Sequence, residues 1–166
     1  MDDGAAIRAR SVRLVVFDVD GVFTDGTLVI DANGVESKTF HVRDGLGVKR
    51  LMAAGVGVAV ISGRRSPAVA LRMRELGVTH VHLGIEDKRG VFDGLCNELG
   101  LQPGETAVVG DDLPEIALFE VAGLSIAVAD AHADVRARAD WTTSLPGGRG
   151  AVREIADALI EAGAGT

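Results

Sequence analysis

Short apolar runs that are continuous rather than alternating recur along the chain, and they limit its fold more than any other feature. Rich in valine and isoleucine, they have the pattern of strands buried on both faces of a parallel sheet. We predict strands at residues 14–17, 56–61, 78–83, 106–109 and 124–128. The amphipathic stretches between and after them predict helices at residues 46–54, 68–76, 89–99, 114–121 and 151–162.

Strands that alternate with helices form right-handed βαβ units, with helices on both faces of one sheet. The predicted fold class is therefore α/β, with a doubly wound, Rossmann-like and mostly parallel sheet. At 166 residues the chain suits one domain, 1–166. This length leaves no room for a large separate substrate domain.

One segment departs from the alternation, directly after the first strand and its loop. Residues 27–30 and 35–42 predict the two strands of a β-hairpin, because Asn33 and Gly34 between them favour a tight turn with positive φ. A second irregular segment begins at about Ser144 and contains a glycine-rich patch, which we interpret as a C-terminal tail ahead of the last helix.

Composition and charge disfavour several classes of function. The net charge of −7 argues against a nucleic-acid partner, because such proteins need basic surfaces for phosphate contacts. The one cysteine, Cys96, cannot form an internal disulfide, and no Cys/His cluster suggests zinc. Neither a membrane-spanning apolar run nor a secretory signal is visible. We therefore expect a cytoplasmic protein with a small-molecule partner and no contact with a membrane.

Polar side chains follow four of the predicted strands at the points where these strands end. In an open α/β sheet, ligands bind beyond the carboxyl ends of the strands. The groups found there are the sequence DVDG at 18–21, SGR at 62–64, Lys88, and GDD at 110–112. Four carboxylates, one hydroxyl and at least two cations are thus predicted to meet at one edge.

Each of these groups taken alone has an ordinary structural explanation, since aspartate and glycine are common in turns. Together they do not, because burying several carboxylates is costly unless a cation or a proton offsets their charge. A hard divalent cation with oxygen ligands is the simple solution, and Mg²⁺ is usually bound by one or two carboxylates together with a substrate phosphate. The strand ends therefore predict a magnesium-dependent site for a phosphorylated molecule.

In order and spacing, these four groups resemble the four motifs of the haloacid dehalogenase superfamily across nearly the whole chain. The resemblance implies a phosphatase in which Asp18 attacks phosphorus and forms an aspartyl-phosphate. Asp20 would protonate the leaving oxygen and later activate water. Ser62 would donate a hydrogen bond to the phosphoryl oxygens, and Lys88 would neutralise charge between nucleophile and phosphate.

The same resemblance implies how Mg²⁺ would be held. Its ligands would be Asp18, the backbone carbonyl of Asp20, and Asp111. Asp112 would bind through water or orient the other ligands. The presence of an acid at Asp20 favours a phosphatase over the superfamily members that cleave carbon–halogen bonds.

Local sequences narrow the resemblance to a capless group of this superfamily, the phosphatases of 3-deoxy-D-manno-octulosonate 8-phosphate. The matching segments are DVDGVFTDG (18–26), FHVRDGLG (40–47), GDDL (110–113), VADAH (128–132) and GGRGAVRE (147–154). This likeness implies a homotetramer with the hairpins at its centre. It also implies that the glycine-rich tail can fold over a neighbouring active site, and that the substrate is a small phosphorylated sugar acid.

By this resemblance the substrate would contact Arg43, Asp44, Gly63, Arg64 and Arg149. Arginine suits a carboxylate because its planar fork donates two parallel hydrogen bonds. Arg64 could instead be part of a solvated helix start, and Arg149 could simply lie on a mobile tail.

Two alternatives stay open at this point. Residues 84–87 read GIED where the resembling phosphatases often carry a polar loop, so the substrate could be a nine-carbon keto-sugar-acid phosphate. The same fold also occurs as a non-catalytic oligomerisation module of the acylneuraminate cytidylyltransferase kind. The intact acidic cluster argues against that second alternative, because a module without chemistry has no reason to keep it.

Overall fold

The structure is a computed structural model, and residues 1–165 are described here. Its strands are β1 Leu14–Phe17, β2 Val29–Ile30, β3 Glu36–Ser37, β4 Gly57–Ser62, β5 His80–Leu83, β6 Thr106–Gly110, β7 Leu124–Ala127 and β8 Trp141–Thr142. Its α-helices are α1 Asp3–Ala9, α2 Val42–Ala53, α3 Pro67–Leu76, α4 Lys88–Leu99, α5 Ile116–Phe119, α6 Ala133–Arg136 and α7 Ala151–Ala162.

Six strands form one parallel sheet in the order β5-β4-β1-β6-β7-β8, which confirms the predicted α/β fold. From β1 the chain winds in one direction through β4 to β5, and then returns to the other side of β1 through β6, β7 and β8. This reversal lies between β1 and β6, where the ends of two neighbouring strands leave a crevice for ligands.

Both central strands, β1 and β6, are buried along their whole length, as their unbroken apolar sequences predict. The helices lie in two layers, because right-handed crossovers place helices on opposite faces when the winding direction reverses. In one layer α7 packs against α1 and α2. In the other layer α4 contacts α5. The strand ends are therefore held by a core on both faces.

The hairpin forms around Asn33 and Gly34 as predicted, but it is shorter. The strands β2 and β3 pair antiparallel over two residues each, and only Gly34 has a positive φ. The second predicted strand is wrong beyond β3, since α2 begins at Val42. The reason is local: His41 is extended and its Nδ1 accepts the Arg43 N–H (3.2 Å), so it caps the helix.

Three short elements were not predicted, namely α1, α6 and β8. The helix predicted at 114–121 is also shorter, because a 3₁₀ turn at Leu113–Glu115 precedes α5. Helices of four to seven residues and two-residue strands carry too little periodicity to be recognised in a sequence. In the described part of the chain, no helix is long and apolar enough to cross a membrane.

Candidate active site

A cleft of about 310 Å³ opens where the ends of β1, β4, β5 and β6 meet. It is lined by Asp18, Asp20, Ser62, Gly63, Arg64, Ile85, Glu86, Lys88, Asp111, Asp112, Pro114 and Glu115. All four predicted motifs therefore contribute to one cleft.

The loop after β1 fixes the direction of the first two carboxylates. The Asp18 N–H donates to the carbonyl of Val109 on the neighbouring β6 (3.0 Å), which continues the sheet pairing by one residue. Three successive N–H groups, at residues 22–24, then turn back to the carbonyl of Val19. Phe23 is buried and its ring packs 5.2 Å from that of Phe17. This compact turn places Asp18 and Asp20 at the mouth of the cleft.

Asp18 is buried and paired with a buried lysine. Its Oδ1 accepts a hydrogen bond from Lys88 Nζ (2.6 Å), and Lys88 also donates to Glu115 Oε1 (2.5 Å). Burial lowers the pKa of Lys88, but the two carboxylates outweigh that effect and raise the pKa above its usual range. Lys88 therefore stays an ammonium that faces Asp18.

Negative charge in the cleft exceeds what Lys88 neutralises. Burial raises the pKa of Asp18 to about 7, and burial together with the Asp18 charge raises that of Asp111 to about 8. Gly21 makes room for Asp111, because a Cβ at Gly21 would lie 1.9 Å from Asp111 Oδ2. The loop backbone and two carboxylates thus converge where a cation would offset their charge.

This donor set fits Mg²⁺. Among residues 1–165 no three His, Cys, Asp or Glu side chains form a ready-made metal cage. Mg²⁺ does not need one, since it keeps several waters and binds one or two carboxylates plus substrate phosphate. Asp112, predicted to assist, is exposed and its Oδ1 accepts the Leu113 N–H (2.8 Å), so its carboxylate caps the following turn.

Residues after β4 form the opposite wall. Ser62 is buried at the strand end and its Oγ accepts the Arg64 N–H (3.3 Å). Gly63 exposes its backbone to the cleft, and Arg64 extends a half-exposed guanidinium. A hydroxyl and a cation therefore face the acidic wall formed by the loops after β1 and β6.

The structure does not place Arg43 and Asp44 in this cleft. Arg43 is exposed at the start of α2. Asp44 is buried, and its Oδ1 accepts the N–H of Arg153 in the first turn of α7 (3.0 Å). Asp44 therefore supplies from α2 the cap that Gly150, with no side chain, cannot give to α7, while its Oδ2 is buried without a hydrogen-bond partner.

The glycine-rich segment, which the sequence led us to interpret as a tail, packs against the rest of its chain. Gly147 donates to the carboxylate of Asp130 (2.9 Å), and a Cβ at Gly147 would lie 1.7 Å from the carbonyl oxygen of Gly21. The segment therefore packs against the first loop of its own chain. Arg149 extends from it, with its side chain 68% exposed and 3.5 Å from Asp25.

Sequence reasoning missed three charged residues at the cleft. Glu115 accepts a hydrogen bond from Lys88, while Lys38 from the hairpin contacts Asp20 and Glu36. An acid in the turn after the GDD sequence was a possible signal for Glu115. No signal in the sequence connects the hairpin with Asp20, because that contact depends on how the hairpin folds back.

This chain is similar in sequence and fold to several known proteins. The family of haloacid dehalogenase-like hydrolases matches residues 86–154. The 3-deoxy-D-manno-octulosonate 8-phosphate phosphatase of Escherichia coli strain K12 is 44% identical over 153 residues, which are 92% of this chain and 81% of that protein.

Solved structures give the same result for the fold. The 3-deoxy-D-manno-octulosonate 8-phosphate phosphatase of Yersinia pestis is 40% identical, with a TM-score of 0.96 and coverage of 98% of this chain and 88% of that one. The enzyme of that name from Moraxella catarrhalis, solved with magnesium, phosphate and KDO, is 36% identical, with a TM-score of 0.95 and coverage of 98% and 93%.

Proposed function

This chain belongs to the haloacid dehalogenase-like hydrolases, and from its cleft we propose that it is a Mg²⁺-dependent phosphomonoesterase acting through an aspartyl-phosphate. Its proposed substrate is a small sugar-acid phosphate, 3-deoxy-D-manno-octulosonate 8-phosphate. The observation that carries the proposal is the buried Asp18 carboxylate, which faces the cleft with the Lys88 ammonium 2.6 Å away. A nucleophile that is both desolvated and oriented by a cation suits phosphoryl transfer.

In the first half-reaction, Asp18 attacks phosphorus and the sugar oxygen departs. Lys88 and Ser62 stabilise the charge that spreads over the phosphoryl oxygens. Asp20, two residues from the nucleophile on the same turn, gives a proton to the departing oxygen. The product alcohol leaves, and the phosphoryl group stays on Asp18.

In the second half-reaction, Asp20 takes a proton from water, which attacks the same phosphorus and releases inorganic phosphate. The reversal of role follows from the first step, since an acid that has given up its proton is ready to act as a base. Glu115 keeps Lys88 in place throughout, because its Oε1 accepts a second hydrogen bond from the same ammonium.

Mg²⁺ would be held by the carboxylates of Asp18 and Asp111 and the backbone carbonyl of Asp20. Bound there, the ion keeps both carboxylates ionised and offsets the charge of the phosphate. The raised pKa values of Asp18 and Asp111 support this assignment, because burial, with neighbouring carboxylates as a further cause, disfavours their ionised forms until a cation offsets the charge.

The substrate class is supported by the names of the relatives and by the cations around the cleft. Arg64 lines it, and its guanidinium can bind the carboxylate of a sugar acid once it leaves Glu36. Glu86 lines it too, and a carboxylate there suits hydroxyl groups better than a second anion. We therefore keep the nine-carbon keto-sugar-acid phosphates as the alternative substrates.

We further propose that the protein works as a homotetramer, with the hairpin as the contact surface. Leu28, Val29, Ile30 and Val35 are 46–58% exposed on this small element. Apolar side chains grouped on one exposed element favour a protein interface. Neighbouring chains would then close the cleft and could bring Arg43 or Arg149 to it. The cytoplasmic location stays a prediction.

The decisive experiment measures phosphate release from a panel of sugar phosphates, with Mg²⁺ and with chelator. The panel includes the eight- and nine-carbon keto-acid phosphates. Selective, Mg²⁺-dependent turnover of the eight-carbon ester is the expected result, and preference for a nine-carbon ester would select the alternative. A folded protein that released no phosphate from any ester would favour the non-catalytic oligomerisation module.

A further inference from the structure

Lys38 reaches from the hairpin into the cleft and ion-pairs with Asp20 Oδ1. It directly follows β3, in a hairpin whose other side chains are mostly exposed, yet its own side chain is only 1% exposed. A lysine on such an element ordinarily keeps its ammonium in water. Because burying a charge is costly unless it is paired, the contact with Asp20 determines this position.

The pairing continues beyond Lys38. Its Nζ lies 3.2 Å from Glu36 Oε1, and Glu36 Oε2 accepts a hydrogen bond from Arg64 Nη2 (2.6 Å). We call Asp20, Lys38, Glu36 and Arg64 the ion-pair chain. It joins three separate elements: the loop after β1, the hairpin, and the loop after β4.

We propose that Lys38 is a positioning residue for the reaction, whose ammonium fixes the carboxylate of Asp20 and holds the hairpin against the cleft. This inference depends on the proposed function, because it takes Asp20 as the acid and base. Lys38 lies in none of the four motifs, and the proposed mechanism does not otherwise use it.

The geometry explains why Asp20 needs such a partner. Its side chain is 22% exposed, so solvent alone would leave the carboxylate free to rotate. A catalytic acid must lie within hydrogen-bond reach of the departing oxygen, and small misplacements are costly in rate. Lys38 engages Oδ1, and Oδ2 is the oxygen that we assign to proton transfer, so Oδ1 can still accept from Lys38 while Oδ2 carries the proton that Asp20 gives to the departing oxygen.

The first test uses chemical modification and requires no activity. The chain has three lysines, Lys38, Lys49 and Lys88, of which Lys49 is exposed on α2 and serves as the internal reference. With limiting acetic anhydride and peptide mass mapping, we expect Lys38 to react roughly tenfold more slowly than Lys49, since it is buried and held by a charge-assisted hydrogen bond. In Asp20→Asn, Lys38 should react faster, so the difference in acetylation rate between Lys38 and Lys49 should become smaller.

The second test compares two leaving groups. p-Nitrophenolate departs without needing a proton, whereas the alcohol of 3-deoxy-D-manno-octulosonate 8-phosphate needs one. Lys38→Met should lower kcat/KM for the sugar ester by roughly tenfold to a hundredfold, and that for p-nitrophenyl phosphate much less. Lys38→Arg should recover part of the loss, and Lys49→Met should change neither value.

Several results would overturn the inference. One is that Lys38 and Lys49 are acetylated at equal rates in the wild-type chain. Another is that Lys38 is acetylated as slowly in Asp20→Asn as in the wild type. Losses of the same size on both esters would indicate a general folding role instead. If Lys38→Met does not fold, the rate at which Lys38 is acetylated in Asp20→Asn still tests the contact between Lys38 and Asp20. A wild-type chain inactive on both esters would defeat the proposed function, whereas the modification experiment would still test the contact.

Discussion

The acidic cluster and the hairpin meet at the same cleft, but they are stabilised in opposite ways. Asp18, Lys88 and Glu115 are buried, and Asp18 directly follows β1, a strand that is buried along its whole length. The hairpin has two-residue strands and exposed apolar side chains, and an isolated two-stranded hairpin is marginal in water. The groups that carry out the chemistry are thus fixed by the core, whereas the hairpin needs contacts with other parts of the protein or with another chain to be stable.

This difference separates two kinds of effect. A substitution in the cluster should change chemistry and folding stability, because each charge there is buried beside another. A substitution on the exposed face of the hairpin should change assembly while leaving the fold intact. Four predictions test this separation.

The largest effect is expected for Asp18→Asn. Loss of the nucleophile should lower phosphate release roughly 10⁴-fold or more, as removal of an essential nucleophile does. The amide has almost the same size and no charge, so the thermal midpoint should change far less than the activity. Asp3→Asn, at an exposed position in α1, is the matched control. Turnover of Asp18→Asn close to that of the control would disprove the nucleophilic role.

Lys88→Met should affect both chemistry and folding. It leaves Asp18 and Glu115 buried without their shared cation, which costs about 3 kcal/mol of unfolding free energy. Phosphate release should fall about 100-fold, because the phosphoryl charge loses its stabilising donor. Urea unfolding and steady-state kinetics measure the two losses. Lys49→Met removes a lysine from α2, and equal unfolding midpoints for the two variants would contradict the prediction.

Ile30→Glu should act on assembly alone. Ile30 is 57% exposed on β2, so a charge there is tolerated by the single chain but not by an interface. Light scattering should show a tetramer for the wild type and smaller species for the variant, with unchanged circular dichroism. Ile7→Glu, at a similarly exposed position in α1, should keep the wild-type mass. A wild-type monomer would refute the proposed assembly.

The smallest effect is a pH dependence of stability in the presence of chelator. Asp18 and Asp111 have folded pKa values of about 7 and about 8, above their values in an unfolded chain. The folded state therefore binds more protons in this range, and its stability falls as the pH rises toward 8. The thermal midpoint should therefore drop between about pH 5 and about pH 8.

Mg²⁺ should reverse this trend, because the ion favours the ionised carboxylates and stabilises the folded state most at the higher pH. In chelator, Asp111→Asn should make the thermal midpoint depend less on pH, since one of the two carboxyl groups with a raised pKa is gone. A midpoint that rose with pH in chelator, or a Mg²⁺ effect larger at low pH, would contradict the assignment.

Much of the fold and site could be predicted from the sequence because the relevant signals are local. Continuous valine and isoleucine runs indicate buried parallel strands, and the residues that follow a strand lie at its carboxyl end. Asp18, Ser62 and Asp111 could therefore be assigned to one edge of the sheet from residue order alone. Their meeting in one cleft follows from the parallel arrangement of the strands.

Predictions that depended on contacts between distant segments were less successful. Asp44 stands in a sequence resembling a substrate-binding motif, yet its carboxylate caps α7. Gly147 stands in the segment interpreted as a tail, yet it packs against Gly21 with no room for a side chain. Both residues contact segments more than a hundred positions away along the chain, and nothing in the neighbouring sequence indicates such a contact.

The sequence by itself determined the sheet, the order of the four motifs and the chemistry that they support, because strand patterning and residue type are written locally. Only the tertiary structure decided which charges pair. Lys88 is shared by Asp18 and Glu115, and Lys38 returns from the hairpin to Asp20. The physical reason is that the energy of a buried charge depends on all the groups around it, and those groups are brought together only when the chain has folded.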